Sequence, residues 1–378
     1  MRFFQAVATA LLLIPLNGFA SEPPNIIFFL ADDMGIGDTS AYQDWTGNSD
    51  AEQVHTPAME RIARQGVRFL DAHAPSSLCT PSRYAAMTGR YCWRTRLKQG
   101  VLLGVQHKPL IERERLTLPE FLQAQGYATG MLGKWHLGIT YSNAHGDPAA
   151  SWETADLTRP LLDGPVDHGF EFFHGFSRSH ATSGPSGAGR RNTPDQGIGP
   201  GWIVGRTVTG ATGIGKQLDG SYQYERIGPR LDRAGREFMR KSVEQARPFF
   251  LYFASPAYHG PYTPATRSGP YPVIGESQFV SGQPTSSDRL DYVYENDVLL
   301  RRIFDFLEET PDPRHEGRPL LENTILIFTS DYGAEIPDKT ATGPVRSNKG
   351  SLFEGGHRSP FLVSWPARGA EGINCERL

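Results

Sequence analysis

Cysteine is scarce in this chain of 378 residues, with only Cys79, Cys92 and Cys375 present. That is too few for a fold held by a dense disulfide framework. An odd count calls for an explanation: one cysteine consumed by chemistry would leave two, to pair or to stay unpaired. An excess of one charge sign is also lacking. The net charge is −3, so no global field favours nucleic acid or an anionic membrane. A site for an anion must therefore be built locally. Beyond the first 20 residues no apolar run reaches the roughly 20 residues that a membrane span needs. There is no internal repeat and no low-complexity tract.

What is present suits a soluble globular protein, with 38% hydrophobic and 21% charged residues. The length fits one large α/β domain or two smaller ones. The 41 glycines and 29 prolines imply many loops. At the N-terminus, Arg2, the apolar stretch Phe3 to Leu16 and Gly18-Phe19-Ala20 have the form of a cleaved export signal. Pro15 and the shortness of the run argue against a membrane anchor.

Five short apolar runs have the character of buried strands: 26–30, 128–132, 249–253, 325–329 and 360–365. Helical spacing marks Pro57 to Arg68, Leu118 to Gln125 (capped by Thr117) and Asp291 to Glu309. Strands alternating with helices predict an α/β fold. Ser177 to Gly220 has no period and is rich in Gly, Ser, Thr and Arg, which predicts long surface loops.

Polar groups follow the strands. Asp32 and Asp33 follow Leu30, Lys134 and His136 follow Leu132, His259 follows Phe253, and Asp331 follows Thr329. Ligands of open α/β sheets bind beyond the carboxyl ends of strands, so these segments are expected to share one cleft. Adjacent Asp32 and Asp33 repel unless a cation lies between them; with Asp331 they form an oxygen set for calcium or magnesium. Alternatively one of the pair caps a loop and the other is solvated. Lys134 and His136, one residue apart in an extended segment, share a face and suit the oxygens of a sulfate or phosphate. They are equally readable as a surface lysine and a structural histidine. His259, in a proline-bounded loop, suits protonation of a leaving alkoxide or a bond to the loop backbone.

Cys79 precedes Thr80, Pro81 and a helical pattern over Ser82 to Tyr91, with Pro81 at a first helical position. That places Cys79 at a helix N-terminus, where an anion is favoured, with Arg83 one turn in. The thiol reads either as an activated nucleophile or as a half-buried cysteine beside a cap.

Cys79-Thr80-Pro81-Ser82-Arg83, followed by Thr88-Gly89-Arg90, resembles the signature of the formylglycine-dependent sulfatases. The likeness continues through Gly133-Lys134-Trp135-His136-Leu137-Gly138, the block 164–170, His259, Thr329-Ser330-Asp331, and Lys349-Gly350 with Glu354-Gly355-Gly356. It implies an alkaline-phosphatase-like α/β core, a large mixed sheet between helices. It implies calcium held by Asp32, Asp33, Asp331 and the modified residue 79, with Arg83 orienting that residue. Lys134 and Lys349 match sulfate-binding lysines, His136 a neighbour of the formylglycine hydroxyls, and His259 a group near the leaving oxygen. In that chemistry one hydroxyl of a hydrated aldehyde at residue 79 attacks sulfur and displaces the alcohol, and deprotonation of the second hydroxyl then releases sulfate as the aldehyde re-forms. A maturation enzyme must make the aldehyde. The resemblance thus implies an exported sulfuric ester hydrolase, secreted or periplasmic, acting on sulfated small molecules or glycans. Residues 21–378 are its catalytic domain, with an insertion at about 177–220. Neither nucleic acid nor stable membrane insertion is expected.

Two departures stand out. Tyr332 follows Asp331 where many members carry an asparagine ligand, and a phenol is a poor calcium ligand. The usual small antiparallel C-terminal subdomain is expected to be missing or truncated, since the sequence ends at Leu378 in an unfamiliar stretch. Two alternatives accompany the sulfatase reading: a phosphate or phosphonate ester hydrolase of the same superfold, and an inactive binding remnant. Arg178, Arg190, Arg191 and Arg206 are a candidate surface for a polyanionic glycan.

Overall fold

The computed structural model describes residues 22–102, 108–183, 201–214, 216–217, 222–315, 317–369 and 372–375. The expected export signal, Arg190 and Arg191 lie outside them. One sheet of ten strands runs through the described residues. In chain order they are β1 (Asn25–Ala31), β2 (Gly66–Phe69), β3 (Ala128–Lys134), β4 (Phe172–Phe176), β5 (Ile203–Val204), β6 (Thr207–Val208), β7 (Phe249–Ala254), β8 (Thr324–Ser330), β9 (Phe361–Ser364) and β10 (Ile373–Cys375). Their spatial order is β10-β2-β9-β8-β1-β7-β3-β4-β5-β6. The five central strands, β8 to β4, are parallel; β9 and the β5–β6 hairpin run antiparallel to their neighbours.

The main helices are α1 (Pro57–Arg64), α2 (Cys79–Thr88), α3 (Leu118–Ala124), α4 (Ile227–Glu244) and α5 (Asp288–Glu309). They cover both faces of the centre. One core joins Ile27 and Phe29 to Leu231, Phe238 and Leu299; the other joins Leu30 to Tyr84, Met131 and Phe250. Strands buried on both faces read as continuous apolar runs, and β3 and β7 are buried at every position. Strands β1, β8, β9 and β2 differ. Phe28, Ile327, Val363 and Val67 lie in one cross-strand row and are only half-buried. This row faces the α2 side, beside a cavity of about 400 Å³ lined by Phe28, Ala85, Ala86 and Phe361.

Several expectations need correction. The helix expected over Pro57 to Arg68 stops at Arg64, and Gly66 to Phe69 is strand β2. A Cβ at Gly66 would lie 2.0 Å from the Val363 carbonyl oxygen, so glycine lets β9 approach. Helix α2 starts at Cys79 rather than Ser82 and ends at Thr88, closed by left-handed Gly89 (φ 64°). Pro81 is then its third residue, still inside the first turn, where N–H groups lack helical partners anyway. The segment 177–220 is not merely surface loop: His180–Ser183 form a buried helical turn, and Trp202 and Ile203 are buried at the sheet edge. Arg206 is paired with Asp167 by two bonds of 2.7 Å, and Arg178 is half-buried. The unfamiliar C-terminal stretch supplies β10, parallel to β2. Among the described residues no small antiparallel subdomain follows β9. No helix among them is long and apolar enough to cross a membrane.

Candidate active site

The sheet register brings the strand ends together. Ala31 pairs with Ser330, and Leu30 and Gly133 both pair with Ala254. The residues that follow, Asp32, Asp33, Asp331 and His259, therefore meet at one edge, with Lys134 closing β3. Gly133 makes this possible. Its φ is +88°, and a Cβ there would sit 1.9 Å from the Ala254 oxygen.

Helix α2 brings Cys79 to this edge as its first residue. Arg83, one turn in and 0% exposed, binds the floor by four bonds. Nε and Nη2 donate to Asp331 Oδ2 at 3.1 and 2.9 Å, Nη2 to Asp32 Oδ1 at 2.9 Å, and Nη1 to the Lys134 carbonyl at 3.0 Å. Lys134 Nζ lies 2.7 Å from both oxygens of Asp32. Lys349 Nζ lies 2.5 Å from Asp33 Oδ2. The Asp33 N–H donates to Asp331 Oδ1 at 3.1 Å. Asp33 and His136 both hold left-handed backbone, with φ of 66° and 58°. Such strain in non-glycine residues concentrates at functional sites.

Burial sets the electrostatics. It would raise the Asp32 carboxyl, but Lys134 and Arg83 hold it well below the usual range. Burial raises Asp33, and the charge of Asp32 adds to the rise while Lys349 opposes it. Burial pushes Asp331 up to about 7 against the pull of Arg83. The Cys79 thiol is pushed up to about 12 by burial, despite Lys134. His259 falls to about 4, through burial and then Lys134. Its imidazole is thus neutral at pH 7, with Nδ1 2.7 Å from the Gly260 carbonyl and Nε2 3.9 Å from Asp33.

The oxygens of Asp32, Asp33 and Asp331 are the donors here that suit a hard cation, and residue 79 and His259 lie among them. Two trios, Asp32–Cys79–Asp331 and Asp33–Cys79–His259, each place their ligand atoms within 4.8 Å of one another. Asp33 and Asp331 carry raised carboxyls in spite of Arg83 and Lys349, which is the strain a divalent ion between them would relieve. Tyr332 intrudes here. It is fully buried, and its phenol lies 3.2 Å from Cys79 Sγ and in close contact with Asp33 Oδ1.

All nine predicted residues fall in this region, but one local inference fails. Strand alternation stops at Lys134, because His136 is left-handed and its N–H bonds to the Ser177 carbonyl at 3.0 Å. Its orientation comes instead from Nε2 at 3.0 Å from the Leu102 carbonyl, and burial pushes the ring well below its ordinary pKa. Sequence reasoning missed three supporting residues. Thr80 donates to the His136 carbonyl at 3.1 Å and accepts from the Leu102 N–H at 3.2 Å. Glu335, pushed up to about 7 by burial and by Asp33, accepts from the Gly260 N–H at 3.1 Å. His180 sits edge-on to His259, with centroids 6.1 Å apart. Thr80 stood inside the motif already quoted; nothing local marked the other two.

Comparison with known proteins gives a consistent outcome. The sulfatase family model matches residues 24–376. An N-acetylgalactosamine-6-O-sulfatase of Bacteroides thetaiotaomicron is 31% identical over 93% of this chain and 69% of its own length. Bovine arylsulfatase A is 32% identical over 98% of this chain and 65% of its own length. A solved structure concerned with the metabolism of multiple glycosaminoglycans by B. thetaiotaomicron superposes with TM-score 0.72 at 25% identity, covering 95% of this chain and 75% of that one.

Proposed function

The chain belongs to the sulfatase family, and on that premise we propose that it hydrolyses sulfate esters at residue 79, with Cys79 converted to formylglycine and calcium beside it. The buried thiol carries this reading. Cys79 occupies the place of the nucleophile, at a helix N-terminus among cations, yet its thiol is pushed up to about 12. An unmodified cysteine there stays protonated at neutral pH and attacks poorly. The aldehyde supplies, when hydrated, an oxygen nucleophile for sulfur and a second hydroxyl for release of sulfate. Asp32, Asp33 and Asp331 would hold calcium, together with residue 79, and the ion would supply further shielding of the ester's charge.

The chain's own groups prepare the rest. Lys134 and Lys349 offer ammonium groups to the sulfate oxygens, lowering the repulsion an anionic ester presents to a nucleophile. Arg83 fixes α2 against Asp32 and Asp331, and so fixes residue 79. His136, held by Leu102 and Thr80, is a neutral ring that serves the hydroxyls of the modified residue. His259 delivers a proton to the leaving oxygen. Its neutral resting state means that the ester's negative charge must first raise its affinity for a proton.

The substrate class is a sulfated glycan or a small sulfate ester; maturation requires a formylglycine-generating enzyme. The first twenty residues direct export, secreted or periplasmic, and residues 21–378 make up the catalytic domain. The deciding experiment is mass spectrometry of the Cys79 peptide from protein produced beside the modifying enzyme, paired with turnover of an aryl sulfate and an aryl phosphate. Aldehyde at residue 79 and preference for sulfate are expected. A thiol at Cys79 under those conditions, or preference for phosphate, would overturn the reading.

A further inference from the structure

Away from the cleft, His73, Glu354 and His357 bring two imidazoles and a carboxylate together, one ligand atom of each within 4.8 Å of the others. We propose that this trio is a second metal site, suited to a borderline-soft divalent ion such as Zn2+. Two nitrogen donors and one oxygen donor, with a fourth position left to water, make a set that zinc accepts in tetrahedral geometry at about 2.0–2.2 Å. Calcium, which takes about 6–8 oxygens, is poorly served by it.

The backbone prepares the site. Ala74 N–H donates to the His357 carbonyl at 2.8 Å, and His73 pairs with Arg358 in an antiparallel bridge. Glu354 and His357 begin and end one helical turn, so they share a face at i and i+3. The His73 and His357 rings lie 5.1 Å apart. His73 Nε2 is 3.0 Å from Glu354 Oε2, and His357 Nε2 is 3.2 Å from the Leu352 carbonyl.

The surrounding charge favours a cation. Arg358 donates to Glu354 Oε2 at 2.9 and 2.6 Å and reaches Asp71 Oδ1 at 2.8 Å. Asp71 also lies 3.7 Å from His73 Nδ1. With neutral imidazoles, two carboxylates against one guanidinium leave an excess of negative charge. Arg358 competes for Glu354, but its bonds end on Oε2, which leaves Oε1 for an ion.

The site's position gives it a role. His73 precedes Cys79 in one segment, and Glu354 and His357 follow Lys349 in the other. The two segments already touch where Gly350 N–H donates to the Ser77 carbonyl at 3.0 Å. An ion here clamps the segment leading into the nucleophile to the segment bearing a sulfate-binding lysine.

The test is Zn2+ titration by calorimetry of tag-free protein in saturating calcium, with the melting temperature followed in parallel. Wild type and Cys79→Ala should bind one equivalent that His73→Ala and His357→Ala both lose, and Zn2+ should raise the melting temperature only where that equivalent binds. Including Cys79→Ala separates this site from the catalytic trios. Co2+ substitution should give the visible bands of a tetrahedral ion in wild type and not in His73→Ala. Equal stoichiometry in wild type and both histidine variants, or no Zn2+ bound by wild type, would overturn the proposal.

Discussion

Replacing Arg83 with methionine should destabilise the protein by about 3–5 kcal/mol at pH 8, the range for breaking a buried ion pair from one side. Arg83 is fully buried, and its four bonds reach two carboxylates and one carbonyl. Methionine fills much of the volume, so the loss is mainly electrostatic. Asp32 keeps Lys134 as a partner, whereas Asp331 loses its only ion-pair partner among the described residues. Protonation of Asp331 can relieve that loss. Its carboxyl, at about 7 in the folded protein against 3.8 as the reference, binds a proton in the folded chain over a window where the unfolded chain has released it. Folded stability therefore falls as pH rises from about 4 to about 7. Without Arg83 the folded value rises further and the window extends above 7. The penalty of Arg83→Met should then be smaller at pH 5.5 than at pH 8. Urea unfolding in EGTA at both pH values measures this. A penalty below about 1 kcal/mol at pH 8, or one independent of pH, would refute the argument that Arg83 compensates buried charge.

Tyr332→Asn should tighten calcium about tenfold, roughly 1.4 kcal/mol, by trading a phenol for a carbonyl ligand; an unchanged calcium titration would count against this. Thr80→Val should cost about 1–2 kcal/mol in stability and lower kcat on an aryl sulfate, since it frees the His136 carbonyl and the Leu102 N–H; wild-type kcat would show that His136 needs no such support. Gly133→Ala should cost at least about 3 kcal/mol, because its Cβ meets the Ala254 oxygen at 1.9 Å; a melt within a few degrees of wild type would show that β3 and β7 can separate. His259→Gln should lower kcat on poor leaving groups more than on activated aryl sulfates, and an equal loss on both would remove it as proton donor.

Much of the site was legible because parallel strands place their carboxyl ends in one line. Asp32, Lys134, His259 and Asp331 could be grouped once four apolar runs were recognised. The central strands announced themselves by being apolar at every position. Strands β2 and β10 did not, being short, and Val67 fits a helical period as well as a strand. Helix α4 was missed because Gly228, Pro229 and Gly235 dilute its pattern. His180 and Glu335 were invisible for another reason: each matters only through a neighbour that the fold supplies, His259 for one and the Gly260 N–H for the other.

The half-buried row across β1, β8, β9 and β2 has a practical consequence. Phe28, Ile327, Val363 and Val67 are aliphatic or aromatic side chains left partly in water beside an apolar hollow. A surface of this kind gathers fluorescent hydrophobic dyes and sticks to chromatography resins even when the protein is fully folded. Dye binding by preparations of this chain should therefore be set beside a cooperative melt before it is taken as a sign of a molten or misfolded state.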